Sequence, residues 1–125
     1  GKRVTVVGRS LVIGRPAALL LTRADATVTL CHRKTPDLAA RCRAADILLA
    51  AAGAPGLITP ECVRPGQIVL DAGATALPDG TLRGDVTPAA AAIAACTPVP
   101  GGIGSVTTAL LLRHTVQAAE KSHHF

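Results

Sequence analysis

The residues best suited to chemistry begin early in the chain, in the segment Gly8-Arg9-Ser10-Leu-Val-Ile-Gly14-Arg-Pro16, which follows a β-branched run. Glycines let the backbone turn sharply and approach a phosphate, and a proline suits the first turn of a helix. The start of that helix offers free N–H groups and the positive end of its dipole. Ser10 stands where a second glycine would complete G-x-G-x-x-G, and its hydroxyl can donate to a phosphate. This pattern is typical of a dinucleotide pyrophosphate site, although the same residues could form a tight turn without a ligand.

A second candidate group lies at the end of the next apolar run, in Leu30-Cys-His-Arg33-Lys34-Thr35. Domains specific for NAD carry an Asp or Glu here, which binds the ribose 2′-hydroxyl. This chain instead places two cations and a hydroxyl at that point, and Arg9 of the first turn could reach the same place. Such a cluster attracts a 2′-phosphate, so the sequence predicts NADP as the cofactor. The alternative is that Arg33 and Lys34 belong to a solvated basic loop.

The remaining titratable residues do not form a recognisable catalytic or metal-binding motif. His32 is expected to flank the ribose site, and His114 lies on a predicted helix. Asp71 and Asp85 are expected to be structural or to stabilise turns. The histidines of the predicted tail, 123 and 124, offer only a weak case for a metal site. We therefore predict no catalytic residue and no metal ligand within this chain.

Composition excludes several classes of protein. The 125 residues are 49% hydrophobic, with a net charge of +5 and a single aromatic residue, Phe125. The basic residues are scattered and stacking platforms are lacking, which argues against nucleic acid as a partner. No apolar run reaches the roughly 18 residues of a membrane span. The four cysteines form no C-x-x-C pair, so we expect reduced thiols and a cytoplasmic protein.

The elements that must position these groups alternate between strands and helices. Continuous apolar strands are predicted at 4–7, 27–31, 46–51 and 67–71, and helices at 16–23, 37–45, 88–95 and 106–121. Asp37 and Ser105 are expected to cap the second and last helices. Asp79-Gly80 predicts a hairpin, and residues 97–104 a rigid loop or short strand. Strands without alternation indicate a sheet buried on both faces, so the fold class is α/β, a Rossmann-like three-layer domain with a mainly parallel sheet.

Five segments, in order, resemble one enzyme family, the bifunctional methylenetetrahydrofolate dehydrogenase/methenyltetrahydrofolate cyclohydrolases. They are Val7-Gly-Arg-Ser-x-Val-Ile-Gly-Arg-Pro16, Ala26-Thr-Val-Thr-Leu-Cys-His-Arg-Lys-Thr35, Ala45-Asp-Ile-Leu48, Gly84-Asp-Val86 and Thr97-Pro-Val-Pro-Gly-Gly-Ile-Gly104. The last segment and the Gly-Arg-Ser turn are the most specific parts. The resemblance implies that residues 1–121 form the NAD(P)-binding domain, with a tail at 122–125.

The resemblance also implies roles for individual residues. Cofactor contacts are expected along the glycine turn, near the adenosine ribose and beside the nicotinamide, at Gly8, Arg9, Ser10, Arg33, Thr35, Ala74 and Gly102. The loop 100–104 would border the cleft where a tetrahydrofolate derivative meets the nicotinamide. The family usually has Asp-Val-Gly-Ile-Asn and Gly-Pro-Met-Thr where this chain has Asp71-Ala-Gly-Ala-Thr75 and Gly104-Ser-Val-Thr107.

The activity implied is hydride transfer from 5,10-methylenetetrahydrofolate to NADP, an oxidoreductase step of one-carbon metabolism, followed by hydrolysis of the methenyl product. In the family, the catalytic lysine and tyrosine belong to an N-terminal folate-binding domain, and the enzymes are homodimers. This chain has no tyrosine, so we expect it to bind cofactor without turnover. Two alternatives stay open: a stand-alone nucleotide-binding or regulatory module, and another Rossmann dehydrogenase.

Overall fold

A five-stranded parallel sheet forms the centre of the molecule in a computed structural model that describes residues 1–122. Its strands are β1 (Arg3–Val7), β2 (Thr27–Cys31), β3 (Ile47–Ala50), β4 (Ile68–Asp71) and β7 (Ala95–Cys96), in the spatial order β2-β1-β3-β4-β7. A separate hairpin consists of β5 (Thr75–Ala76) and β6 (Leu82–Arg83). The helices are α1 (Gly14–Arg23), α2 (Leu38–Ala44), α3 (Pro88–Ala91) and α4 (Ile103–Ser122), with a 3-10 turn at Pro60–Cys62.

The sheet separates two apolar cores, as expected for strands that carry apolar side chains on both faces. One core lies between the sheet and α2, the 3-10 turn and α3, and it contains Leu48, Ile58 and Val69. The other lies beneath α1 and contains Val4, Val6 and Leu49. The predicted α/β, Rossmann-like architecture with a parallel sheet is therefore confirmed.

A buried amide fixes α2 to the strands beside it. The Gln67 side chain, which is fully buried, donates through Nε2 to the carbonyls of Cys42 (2.7 Å) and Ala45 (3.1 Å). Its Oε1 accepts from the backbone N–H of Arg64 at 3.2 Å. These bonds add to those that the same two carbonyls accept from the Ala45 N–H and from the Arg64 guanidinium, so the end of a short helix is well satisfied.

Several predicted element boundaries are wrong. The alanine-rich helix ends at Ala91, and residues 95–96 form strand β7 instead. Ser105 does not cap α4, because that helix begins two residues earlier, at Ile103. Asp37 lies before α2 with φ +52° and makes no capping bond through its side chain. A capping side chain needs an extended backbone to reach the first N–H groups, and a left-handed residue does not provide one.

Strand β2 is more exposed than predicted, and helix α4 is exposed as well. Strand β2 is an edge strand, so Thr27, Thr29 and Leu30 are exposed rather than buried. Helix α4 has no buried side chain along its whole length, and its leucines 111 and 112 are each 65% exposed. Across residues 1–122, none of the helices has the length and apolar character needed to cross a bilayer. Residues 123–125, where we predicted most of the tail and a weak metal-site option, lie outside the described residues.

Candidate functional site: a crevice at the carboxyl edge of the sheet

The candidate site lies along one edge of the sheet, because the strands are parallel and their ends are in register. Val7 pairs with Cys31 on one side and with Ala50 on the other, and Ala50 pairs with Asp71. The loops that follow these residues therefore start from a single row. The chain passes from β1 to β2 in one direction and then crosses back to β3, so the order of the strands reverses between β1 and β3. Ligands of open α/β sheets bind in the crevice at such a switch point.

Two glycines bring the backbones at this crevice together. Gly8 has φ +126°, and a Cβ on it would overlap the carbonyl of Ala51, which follows β3. A Cβ on Gly14 would overlap the carbonyl of Gly8, so the first residue of α1 lies directly against the turn. A larger residue at either position would push α1 or the β3 loop away. The first turn is thus shaped for close backbone approach, as its sequence predicted.

Ser10 caps the start of α1. Its Oγ accepts hydrogen bonds from the backbone N–H groups of Ile13 (3.1 Å) and Gly14 (3.5 Å). The hydroxyl acts as acceptor in both, so its own hydrogen remains available to an anion. Among residues 1–122, the backbone N–H groups of Arg9 and Ser10 meet no protein acceptor. A polarised turn with free donors is the arrangement that binds phosphate at helix N-termini.

The basic segment after β2 is a well-formed turn. The His32 N–H donates to Thr35 Oγ1 (2.9 Å), the Thr35 N–H donates to the His32 carbonyl (2.8 Å), and His32 Nδ1 accepts from the Lys34 N–H (3.2 Å). The side chains of Arg33 and Lys34 are left exposed. Within the described part of the chain, no carboxylate forms an ion pair with either of them or with Arg9. Three cations at neighbouring strand ends therefore remain free for an anionic ligand.

The other predicted contacts lie further along the edge, in a cavity of about 760 Å³. Ala74 and Gly102 line it, from the loop after β4 and from the proline- and glycine-rich loop before α4. Val12 and Ile13, from the loop between β1 and α1, line it as well. The structure thus brings Ala74 and Gly102 together near the first turn, while Arg33 and Thr35 lie outside this cavity. The seven predicted residues form two groups along one row of loops.

Sequence reasoning missed the segment 52–54, the loop that follows β3 and begins beside Gly8. Its three N–H groups donate to the carboxylate of Asp85, a residue more than 30 positions further along the chain. The expected structural role of Asp71 and Asp85 agrees with their geometry, since both are buried and accept only backbone N–H groups. The only sequence signal was the Gly84-Asp85 pair after the hairpin, which does not reveal its partner.

Burial lowers the reactivity of three cysteines, those at positions 31, 42 and 96. Burial raises the pKa of the Cys42 thiol to about 12, and it raises the pKa of Cys31 and Cys96 as well. A thiol reacts as its thiolate, so these groups are poor nucleophiles near neutral pH. His114 lies on the exposed surface of α4 and does not line the cavity. No group of three potential metal ligands is found in the described residues.

The parallel sheet, the glycine turn at its switch point and the unpaired cations beside it define a dinucleotide-binding domain of the Rossmann class. The sequence profile of the tetrahydrofolate dehydrogenase/cyclohydrolase NAD(P)-binding domain matches residues 1–123. This chain belongs to that family. The predicted resemblance is confirmed, and the alternative of another Rossmann dehydrogenase is excluded.

Curated relatives and solved structures agree with this assignment. The chain is 56% identical over 120 residues to the bifunctional protein FolD of Chloroflexus aurantiacus and 59% identical over 120 residues to FolD 1 of Rhodococcus jostii, with 94% of this chain covered in each case. It is 44% identical, with a TM-score of 0.90 over the whole chain, to a Trypanosoma brucei methylenetetrahydrofolate dehydrogenase-cyclohydrolase complexed with NADP cofactor and inhibitor. The Campylobacter jejuni FolD structure has the same TM-score, at 41% identity over 98% of this chain.

The alignments cover only part of each relative. This chain spans 42% of the Chloroflexus protein, 40% of the Rhodococcus protein and 46% of the trypanosomal chain. The similarity therefore concerns the NAD(P)-binding part of longer bifunctional proteins.

Proposed function

We propose that this chain binds NADP and that the cations at the end of β2 select it over NAD. The single observation that carries the proposal is the exposed group of Arg9, Arg33 and Lys34, which has no carboxylate partner among residues 1–122. A ribose 2′-phosphate would supply the missing anion, and arginine offers a planar fork of donors to it. Thr35 lies beside the adenosine ribose in this arrangement.

The pyrophosphate of the cofactor lies over the first turn in this proposal. The free N–H groups of Arg9 and Ser10, together with the Ser10 hydroxyl, would bind its oxygens. Gly8 and Gly14 support this placement, because any side chain there would overlap neighbouring backbone. The residues present therefore fit NADP, the cofactor bound in the trypanosomal structure.

The nicotinamide half would enter the cavity lined by Ala74 and Gly102. NADP supplies the hydride acceptor, while the protein supplies orientation and electrostatics. A tetrahydrofolate derivative would approach from the open side of the same cavity, beside the loop before α4. The protein that contains this domain would oxidise 5,10-methylenetetrahydrofolate and hydrolyse the methenyl product, as the names of its relatives indicate.

The partner groups of that reaction would come from a folate-binding domain outside this chain, with residues 1–121 forming the NAD(P)-binding domain. Two observations support this division: the chain spans about two fifths of its curated relatives, and the apolar side chains of α4 are uncovered. We further propose a homodimer, since the exposed edge strand β2 is open to pairing. Four unpaired cysteines favour a reducing, cytoplasmic location.

Isothermal titration calorimetry with NADP and NAD tests the cofactor proposal. We expect NADP to bind at least about tenfold more tightly than NAD, because only NADP carries a phosphate for the basic turn. The preference should shrink at higher salt, since the cations are exposed. Equal affinities, or tighter binding of NAD, would contradict the proposed role of the β2 cations.

A further inference from the structure

Two buried carboxylates connect the loops at the carboxyl edge of the sheet. Asp71 is 4% exposed and Asp85 is 0% exposed, and neither forms an ion pair within residues 1–122. Burial raises the pKa of the Asp85 carboxyl, and the backbone N–H bonds it accepts oppose that rise. A buried carboxylate without a cation is costly unless its oxygens are well satisfied by hydrogen bonds. The hydrogen bonds that their carboxylate oxygens accept therefore indicate what these two residues do.

Asp85 holds the loop that follows β3. Its Oδ2 accepts from the N–H groups of Ala52 (2.6 Å) and Gly53 (3.1 Å), and its Oδ1 accepts from the N–H of Ala54 (2.8 Å). The carbonyl of Ala51, one residue earlier, lies against Gly8 of the glycine turn. Asp85 thus fixes the loop that begins where the backbone after β3 meets the glycine turn at the switch point.

Asp71 in turn holds Asp85. Its Oδ1 accepts from the backbone N–H groups of Asp85 (3.0 Å) and Gly73 (2.9 Å), and its Oδ2 accepts from the Val86 N–H (3.0 Å). The glycines on both sides of this pair are needed for the approach, since a Cβ on Gly84 would overlap the Asp71 carboxylate and one on Gly73 the Asp85 carboxylate. The hydrogen bonds of two aspartates therefore connect the loop after β3 to the end of β4.

The two aspartates lie nearer to one half of the cofactor than to the other in the proposed binding mode. In the proposed binding mode, the 2′-phosphate lies at the end of β2 and the pyrophosphate at the end of β1. Strand β3 is the next in the row, and β4 follows it. Ala72 lines the cavity and donates its N–H to the carbonyl of Ala50, at the end of β3 (2.8 Å). A dinucleotide that continues along the row would therefore pass residues 52–54 with its nicotinamide half as it enters the cavity.

We infer that Asp85, held by Asp71, is a positioning residue that sets the nicotinamide-side wall of the cofactor crevice through the backbone of residues 52–54. The inference rests on the proposed NADP binding. Asp85 itself is buried beneath the loop and acts through the three N–H groups that it accepts. Its loss should therefore alter affinity for the nicotinamide half of the cofactor and leave the adenosine half unchanged.

The test compares Asp85→Asn with Asp79→Asn in calorimetric titrations against NADP and against 2′,5′-ADP, which contains only the adenosine half. Asp79 is a matched control, because its exposed carboxylate also accepts a backbone N–H, from Thr81 at 2.9 Å, but lies in the hairpin turn. We expect Asp85→Asn to weaken NADP binding by about ten- to a hundredfold, since its NH₂ group must face an N–H donor. Binding of 2′,5′-ADP should change by less than about twofold, and Asp79→Asn should change neither.

The experiment distinguishes failure of this inference from failure of the proposed function. If Asp85→Asn weakens NADP and 2′,5′-ADP equally, or leaves NADP binding unchanged, the positioning role is overturned while the proposed function stands. If the unaltered chain binds neither ligand, the proposed function fails, and the inference fails with it. Thermal unfolding of each variant reports whether it folds.

A measurement on the unaltered chain keeps the inference testable even if Asp85→Asn does not fold. In NMR titrations we expect NADP to shift the amide resonances of residues 52–54 and 2′,5′-ADP to leave them unmoved. The same amides should exchange slowly with solvent before any ligand is added, because all three donate to a buried carboxylate. Amides that exchange freely, or that do not respond to NADP, would overturn the role assigned to Asp85.

Discussion

At the residue scale, the shape of the crevice depends on two glycines, which have no Cβ atom. Gly8 and Gly14 have no Cβ, so the carbonyl of Ala51 contacts the first turn and the turn contacts α1. Ser10 takes the place of a further glycine and uses its hydroxyl oxygen to cap the helix. The glycine positions could be predicted from spacing. The capping bonds could not, because they require knowing where α1 begins.

Arg33→Ala is the residue-scale test of the phosphate site. Removing a charge-assisted hydrogen bond to the 2′-phosphate should weaken NADP binding by roughly 1–3 kcal/mol and leave NAD binding unchanged. Calorimetry with both cofactors provides the measurement. Arg23→Ala is the control, because Arg23 is also exposed but lies in the last turn of α1, away from the carboxyl ends of the strands. Unchanged NADP affinity in Arg33→Ala would assign Arg33 to a solvated loop.

At the scale of elements, local patterns predicted most strands and helix starts. Residues 27–31 form β2 as predicted, and Thr87 caps α3 by accepting from the Ala90 N–H. The alanine run wrongly predicted that α3 extends to residue 95, because alanine favours helix but does not enforce it. Residues 95 and 96 instead pair with β4, whose backbone offers hydrogen bonds that a longer helix would forgo. Pairing between distant segments overrode local propensity there.

Asp46 provides an element-scale prediction, because it joins the starts of β1 and β3. Its carboxylate accepts from the backbone N–H and guanidinium of Arg3 and pairs with Arg64 at 3.5 Å. Hydrogen bonds from Arg3 hold the pKa of Asp46 well below its usual range. A depressed pKa means that the ionised form stabilises the fold above the unfolded pKa of about 4, and that this contribution is lost as the pH falls.

We therefore expect Asp46→Asn to lower the urea midpoint at neutral pH, with a difference from the unaltered chain that shrinks as the pH falls below about 4. Urea unfolding followed by circular dichroism across this range measures it. Glu120→Gln is the control, since Glu120 forms no salt bridge within residues 1–122. A difference that stays constant with pH would show that the ionised carboxylate of Asp46 contributes nothing to stability.

At the scale of the whole molecule, this chain is a binding domain with an open side. The 760 Å³ cavity is bordered by loops at the carboxyl edge and by the first turns of α4, a helix without a buried side chain. The three lysines of the chain, Lys2, Lys34 and Lys121, do not line the cavity, and tyrosine is absent from the sequence. We therefore expect this chain to bind the cofactor without catalysing turnover.

We predict that this chain binds NADP but does not convert 5,10-methylenetetrahydrofolate. Asp71 is the one titratable residue among the described residues that line the cavity, and both of its carboxylate oxygens already accept backbone N–H groups. The measurement is NADPH formation by absorbance, under conditions where calorimetry shows bound NADP. The full-length Campylobacter FolD serves as the positive control, and buffer as the blank. Turnover above the blank would place the catalytic groups within these residues and contradict the proposed division into domains.

The sequence by itself determined the βα alternation, the glycine turn and the basic end of β2, because each is written in residues close together along the chain. Tertiary structure alone decided which loops meet. Gly8 contacts Ala51, and Asp85 accepts hydrogen bonds from residues 52–54. Both interactions join segments more than 30 residues apart. The exposure of β2 and the pairing of β7 likewise follow from their places at the sheet edges. Local patterns fix backbone conformation, whereas burial and hydrogen-bond partners depend on how distant segments pack.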